Sequence, residues 1–138
     1  MTKRQPKSSI ANSVISNVKT VSYSELDEKV DKILKDAGQK NFKLTFSMFE
    51  SVENSDDHED WKVRIPDFDS DEHVFNGKCI FYEDFWSGHM SRIINNPTWE
   101  DILVEANHAA SGDHIFWESI NYEKTVKGVK YYIFHFGS

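Results

Sequence analysis

The last third of the chain, residues 97–136, constrains the fold more than any other stretch. It contains a capped helix, a glycine stop and two strands rich in aromatic residues. Both strands carry apolar side chains at consecutive positions, so each strand has two apolar faces. A strand of this kind belongs in the interior of a sheet, where both faces are covered. The sequence therefore predicts that something shields each side of the C-terminal strand pair from water.

Capping signals predict two helices. Ser22 and Glu25 form a Ser-x-x-Glu capping box ahead of an apolar stripe with helical spacing, and Gly38 ends that stripe. Thr98 is the expected N-cap of the second helix, which Gly112 ends.

Alternating apolar residues predict several strands between the two helices. One is expected from Phe42 to about Val52, and a shorter one from Trp61 to Ile65. The dipeptide Asn76-Gly77 lies between the apolar segments 73–75 and 79–82, which is a strong signal for a tight hairpin.

The two C-terminal strands are expected to form a second hairpin with Lys127-Gly128 at its tip. Counting back from this tip places Ile120 opposite His135. The same counting places Trp117 and Phe134 on one face of the sheet.

These elements predict a single α+β domain with two principal helices and a mostly antiparallel sheet of five to six strands. The expected order is α-β-β-β-(β)-α-β-β, and its separate blocks argue against a doubly wound parallel sheet. The domain is expected to span residues 21–138. Residues 1–20 are interpreted as a disordered, basic and serine-rich tail, with a transit peptide as the alternative.

The charge pattern excludes some classes of partner. The chain has a net charge of −7, but residues 1–24 contain four basic residues and no acid, so the remainder carries −11. Such a body repels nucleic acid.

No apolar run reaches the ~18 residues that cross a bilayer. The single cysteine, Cys79, cannot form an internal disulfide, which favours a reducing compartment. We therefore expect a soluble, cytoplasmic protein with no nucleic-acid or membrane partner.

Two patterns resemble metal sites without completing one. Asp67–Asp71 imitates the start of a calcium loop, but Glu72 occupies the position that needs glycine and Lys78 the position that needs a bidentate glutamate. Glu105 and His108 have the spacing of a helical carboxylate–imidazole pair, which requires further ligands from facing helices. An acidic turn and an exposed ion pair are the favoured interpretations, and neither a metal nor a cofactor is predicted.

Glu118 and His135 are the weak catalytic candidates. The assumed register places them diagonally on one face, where a carboxylate and an imidazole form a possible general base. A hydrogen-bonded structural pair is favoured, since no serine or cysteine is tied to them by a motif. The Cys79 thiol is interpreted as an inert core group. Whether the protein is an enzyme stays uncertain, leaning to no.

A segment without periodicity, between the predicted strand at 79–82 and the second helix, contains most of the residues that we expect to bind a partner or a ligand. Phe85, Trp86, His89 and Met90 lie where regular structure is lost, and large apolar side chains in loops are typical of recognition surfaces. A loop folded back over one end of the core is the slightly favoured interpretation, because aromatic residues are abundant throughout the chain. Trp117 and Phe134, from the C-terminal sheet, complete the predicted set of partner-binding or ligand-binding residues.

The most favoured functional hypothesis is a non-catalytic protein-interaction module that self-associates, with a homodimer as the simplest form. The alternative is a small-molecule-binding domain, or a small hydrolase or isomerase, with an aromatic-lined pocket for an apolar ligand. A third and weaker hypothesis is an acidic decoy that occupies a basic partner.

Overall fold

The computed structural model describes residues 18–35, 40–45, 50–53, 62–66, 68 and 73–138. The described chain is an α+β fold with two helices. Its elements, in chain order, are β1 (Val18–Ser22), α1 (Tyr23–Leu34), β2 (Lys43–Leu44), β3 (Glu50–Glu53), β4 (Lys62–Pro66), β5 (Lys78–Tyr82), β6 (Ile94–Asn95), α2 (Trp99–Ala109), β7 (Phe116–Val126) and β8 (Val129–Gly137).

Both predicted N-caps are confirmed. The Ser22 hydroxyl accepts a hydrogen bond from the Glu25 backbone N–H at 3.2 Å. Thr98 and Asp101 form a reciprocal capping box, in which the Asp101 carboxylate accepts from the Thr98 backbone N–H at 3.0 Å. Helix α2 ends at Ala109, before Gly112, whereas Gly38 lies outside the described residues.

The described strands form two sheets instead of one, which corrects the expected architecture. One sheet has the order β1-β4-β3, and the other has the order β2-β7-β8-β5-β6. The larger sheet is mixed, because β2 runs parallel to β7 and β5 runs parallel to β8, while its other pairs are antiparallel. A parallel pair needs a crossover connection, and helix α2 with β7 provides it between β5 and β8.

The smaller sheet changes two expected boundaries. Residues 18–20, which the sequence assigned to the tail, form part of β1 and pair with β4, while residues 1–17 lie outside the described chain. The strand expected from Phe42 to Val52 is divided between β2 in the larger sheet and β3 in the smaller one. Strand β4 confirms the strand expected near Ile65. Of the turn at Asp67–Asp71, only Phe68 is described.

The hairpin predicted at Asn76-Gly77 is wrong. The Gly77 backbone N–H donates to the Asn96 side chain at 2.6 Å, and the Asn96 N–H donates back to the Gly77 carbonyl at 2.8 Å. Val74 likewise donates its N–H to the Pro97 carbonyl at 2.9 Å. The segment before β5 therefore pairs with the chain ahead of helix α2, because distant backbone groups satisfy the bonds that a local hairpin would have made.

The C-terminal hairpin has the predicted tip but a different register. Val126 pairs with Val129 across the Lys127-Gly128 turn, as expected. Irregularities around Glu123 and Glu118 then shift the pairing, so that Ser119 lies opposite His135 and Ile120 opposite Phe134. An extra residue in one strand of a β-bulge moves every later pair by one position. The expected pairing of Ile120 with His135 is therefore wrong.

The main core cluster combines buried residues of both helices, of the larger sheet and of strands β1 and β4 in the smaller sheet. Trp117 and Phe134 are fully buried there, with their ring centroids 5.6 Å apart. Both were expected among the contact residues, but in the described fold neither side chain reaches the surface. Ile80 and Ile133 are also buried, although they lie outside the main core cluster. Strands β5 and β8 are thus apolar on two sides, but β7 is exposed at Phe116 and from Tyr122 to Val126, so the expected shielding of both faces of the C-terminal pair is wrong for β7.

Candidate functional site

The aperiodic segment after β5, residues 83–93, forms an ordered loop that we call the aromatic loop. It returns to the strand from which it departs: the Glu83 N–H donates to the His89 carbonyl at 2.9 Å, and the Ser91 N–H donates to the Phe81 carbonyl at 2.9 Å. The Ser91 hydroxyl also accepts from the Phe81 N–H at 2.9 Å. Strand β5 therefore fixes both ends of the loop.

A single buried carboxylate organises the interior of the aromatic loop. Glu83 is only 1% exposed, and its side chain accepts backbone N–H bonds from Phe85 at 2.8 Å, Trp86 at 2.9 Å and Ser87 at 2.6 Å. The Ser87 hydroxyl donates a further bond at 2.8 Å. Bonds to an ionised acceptor are about twice as strong as neutral ones. The conformation of the loop thus depends on one side chain.

The ionisation of Glu83 follows from the same contacts. Burial acts to raise the pKa of this carboxyl, but the hydrogen bonds from Ser87, Trp86 and Phe85 outweigh burial and hold the pKa below its usual value of 4.5. The carboxylate is therefore charged at neutral pH. Its negative charge is stabilised by the backbone N–H groups of Phe85, Trp86 and Ser87 that point at it.

The aromatic loop presents a group of large apolar side chains to solvent. Phe85 is 71% exposed, Met90 58%, Trp86 53% and Ile93 50%. The Trp86 ring stacks on His114, in the turn after α2, at a centroid distance of 3.5 Å and an angle of 8°. Single exposed apolar residues are common, but several on one fixed loop are typical of an interaction surface.

His89 extends from this loop to helix α2. Its Nε2 lies 2.6 Å from Glu105 Oε1, and its ring centroid lies 5.6 Å from that of His108. The sequence singled out the Glu105–His108 spacing but interpreted it as an exposed ion pair, whereas Glu105 is half-buried and its contact is His89. The one-turn spacing of Glu105 and His108 was the feature of the sequence that indicated this cluster. The contribution of His89 was missed because His89 lies on the aromatic loop and not on helix α2.

The weak catalytic candidates lie elsewhere, in the C-terminal hairpin. Glu118 is exposed at a bulge of β7, with its carboxylate against Gly137. His135 is half-buried and pairs across the strands with Ser119. Neither position gives a specific observation in favour of catalysis.

A cleft of about 440 Å³ with several charged side chains in its lining lies between helix α1 and the segment around β2. Its centre is Lys40, whose Nζ lies 2.6 Å from an Asp27 oxygen and 2.9 Å from an Asp31 oxygen. The remaining lining residues are Tyr23, Ser24, Lys43 and Leu44. This lining is charged, which differs from the aromatic-lined pocket expected for an apolar ligand.

Neither α1 nor α2, nor any other helix in the described part of the chain, is long and apolar enough to cross a membrane. Comparisons of the chain with protein families, with curated protein sequences and with solved structures returned no match.

Proposed function

We propose that this protein is a non-catalytic interaction module that self-associates as a homodimer through the aromatic loop. One observation carries the proposal: large apolar side chains are at least half exposed on a loop that a buried carboxylate holds in one conformation. A rigid loop loses little conformational freedom on binding, so more of the contact energy contributes to affinity.

The free energy gained by burying the exposed side chains is large enough, compared with the cost of association, to support a dimer. Complete burial of a side chain such as Phe, Met or Ile contributes about 1.5–3 kcal/mol. In a two-fold symmetric contact, the same patch is present on both copies, so each side chain contributes twice. Association costs at least about 4 kcal/mol in lost translational and rotational freedom. The exposed residues of the loop are therefore sufficient in number to offset that cost.

Charge favours a second copy as the partner. Asp84 and Arg92 are both exposed within the aromatic loop, where Asp84 precedes Phe85 and Arg92 precedes Ile93 in the sequence. A two-fold axis through the loop brings the acid of one copy toward the base of the other. Such complementarity contributes to orientation and specificity more than to affinity. In the cytoplasm, the location expected from the sequence, the buried Cys79 thiol would remain reduced.

The test is the mass of the protein in sedimentation velocity over a dilution series. We expect the wild-type mass to fall from dimer toward monomer on dilution. Trp86→Ala should weaken dimerisation by roughly 30-fold, as is typical of a central aromatic contact. Val126→Ala is the matched control, because Val126 is 42% exposed but lies at the tip of the C-terminal hairpin. The control should dimerise like the wild type.

Two results would reject this proposal. A wild-type protein that stays monomeric at every concentration excludes self-association. Dimers that Val126→Ala weakens and Trp86→Ala does not would place the interface outside the aromatic loop. Trp86→Ala keeps the backbone N–H that donates to Glu83 and loses only the half-exposed ring, so the circular dichroism spectrum should be unchanged and the comparison valid.

A further inference from the structure

We propose that His89, Glu105 and His108 form a binding site for Zn²⁺ that joins the aromatic loop to helix α2. The site goes beyond the proposed self-association and does not depend on it. Each of the three residues offers one ligand atom, and these atoms lie within 4.8 Å of one another.

Two separate elements bring the ligands together. Glu105 and His108 are one turn apart on α2, so both side chains project from one side of the helix. His89 comes from the aromatic loop, where its backbone is held by bonds to Glu83 and Ser87. The backbone that carries each ligand is thus fixed independently of the metal, which reduces the ordering that binding would require.

The distances are close to those of a zinc site. Zinc binds histidine nitrogen at about 2.0–2.1 Å and carboxylate oxygen at about 2.0–2.2 Å in a tetrahedral arrangement, which separates neighbouring ligand atoms by about 3.4 Å. The His89 Nε2 and Glu105 Oε1 atoms, at 2.6 Å, would separate slightly, and the widest pair, within 4.8 Å, would close. His108 is exposed, so its side chain is free to rotate into place.

The ligand chemistry selects the class of metal. Imidazole nitrogen suits zinc and its transition-metal neighbours, whereas calcium and magnesium prefer ligand sets made of oxygen alone. Two histidines and one glutamate are a known three-residue zinc set that keeps a fourth position for water or another ligand. A zinc ion at this position would cross-link the loop to the helix and hold the loop more firmly.

The test is isothermal titration calorimetry of untagged, chelator-treated protein with ZnCl₂ in excess Mg²⁺. We expect one Zn²⁺ per chain. His108→Ala and His89→Ala should each lower the affinity by more than about 10-fold, the minimum that even loss of an outer partner of a metal ligand costs. His73→Ala and His135→Ala are the matched controls, since both histidines lie outside the cluster, and they should bind zinc like the wild type.

Two outcomes would overturn the site: no zinc binding by the wild type, or zinc binding that His108→Ala and His89→Ala leave unchanged. His108 is exposed, so the fold of His108→Ala should be intact even if His89→Ala disturbs the loop. The same titration of Trp86→Ala separates the two proposals. Zinc binding by this variant supports the site whether or not the chain dimerises.

Discussion

The aromatic loop and the C-terminal hairpin both expose apolar side chains, but different forces hold them in place. The hairpin is a backbone ladder that runs from Val126–Val129 to Phe116–Gly137 with two register shifts, and many backbone pairs contribute to its order. The aromatic loop has few ladder bonds, and the Glu83 carboxylate replaces them by accepting several N–H groups. The order of the hairpin is thus distributed over many backbone pairs, whereas the interior of the aromatic loop is held mainly by one carboxylate.

The largest effect on the free energy of unfolding is expected when Glu83 is replaced. Glu83→Ala removes the acceptor of several buried bonds and leaves their N–H groups unsatisfied, so the free energy of unfolding should fall by about 3 kcal/mol. Urea unfolding measures it. Asp84→Ala is the matched control, because it removes the next carboxylate, which is exposed, and should change stability by less than about 0.5 kcal/mol. Equal effects of the two substitutions would contradict the role given to Glu83.

A smaller effect is expected from protonation of the same carboxylate. The pKa of Glu83 in the folded protein lies below its usual value of 4.5, so an unfolded chain binds this proton more readily. The stability that Glu83 contributes is therefore present above about pH 5 and is lost as the pH falls through the folded pKa. Unfolding at a series of acidic pH values should show a steeper loss for the wild type than for Glu83→Gln. Parallel curves would show that the loop does not depend on the charged form.

The smallest effect is expected at the hairpin. Lys127 and Gly128 both have positive φ angles, 52° and 80°, as in a type I′ turn. Lysine is strained in this region, whereas asparagine adopts it readily, so Lys127→Asn should raise stability by about 0.5–1 kcal/mol. Thermal unfolding measures the change. Lys127→Ala, which removes the same side chain without easing the strain, should give no such gain, and an equal gain in both variants would refute the explanation.

The sequence predicted the elements whose determinants are local. Both helices begin at their predicted caps, and the tip at Lys127-Gly128 is correct, because a cap or a turn involves residues only a few positions apart. The predictions from local sequence patterns were wrong where hydrogen bonds between distant residues replace local ones. Asn76-Gly77 had the local features of a hairpin, yet its partners are across the sheet at Asn96.

Only part of the candidate site was predicted from the sequence, because the rest depends on contacts between residues that are distant in the chain. The segment containing Phe85 and Trp86 was singled out by its composition, since large apolar residues without periodicity are visible in the sequence. The anchoring role of Glu83 was missed, because a buried acid is unusual and nothing in the sequence indicates that it is buried. The approach of His89 to Glu105 depends on how the loop lies against α2, which residue spacing does not encode.

The parallel pairing of β5 with β8 determines when the part of the sheet that carries the aromatic loop is completed during synthesis. Lys78 pairs with Val129 and Tyr82 with Ile133, so β5 emerges from the ribosome well before β8, one of its two neighbours, exists. Contacts that span so much chain form late and slowly. The residues of the aromatic loop are therefore translated early, but the pairing of β5 with β8 beside the loop forms only after β8 has been translated.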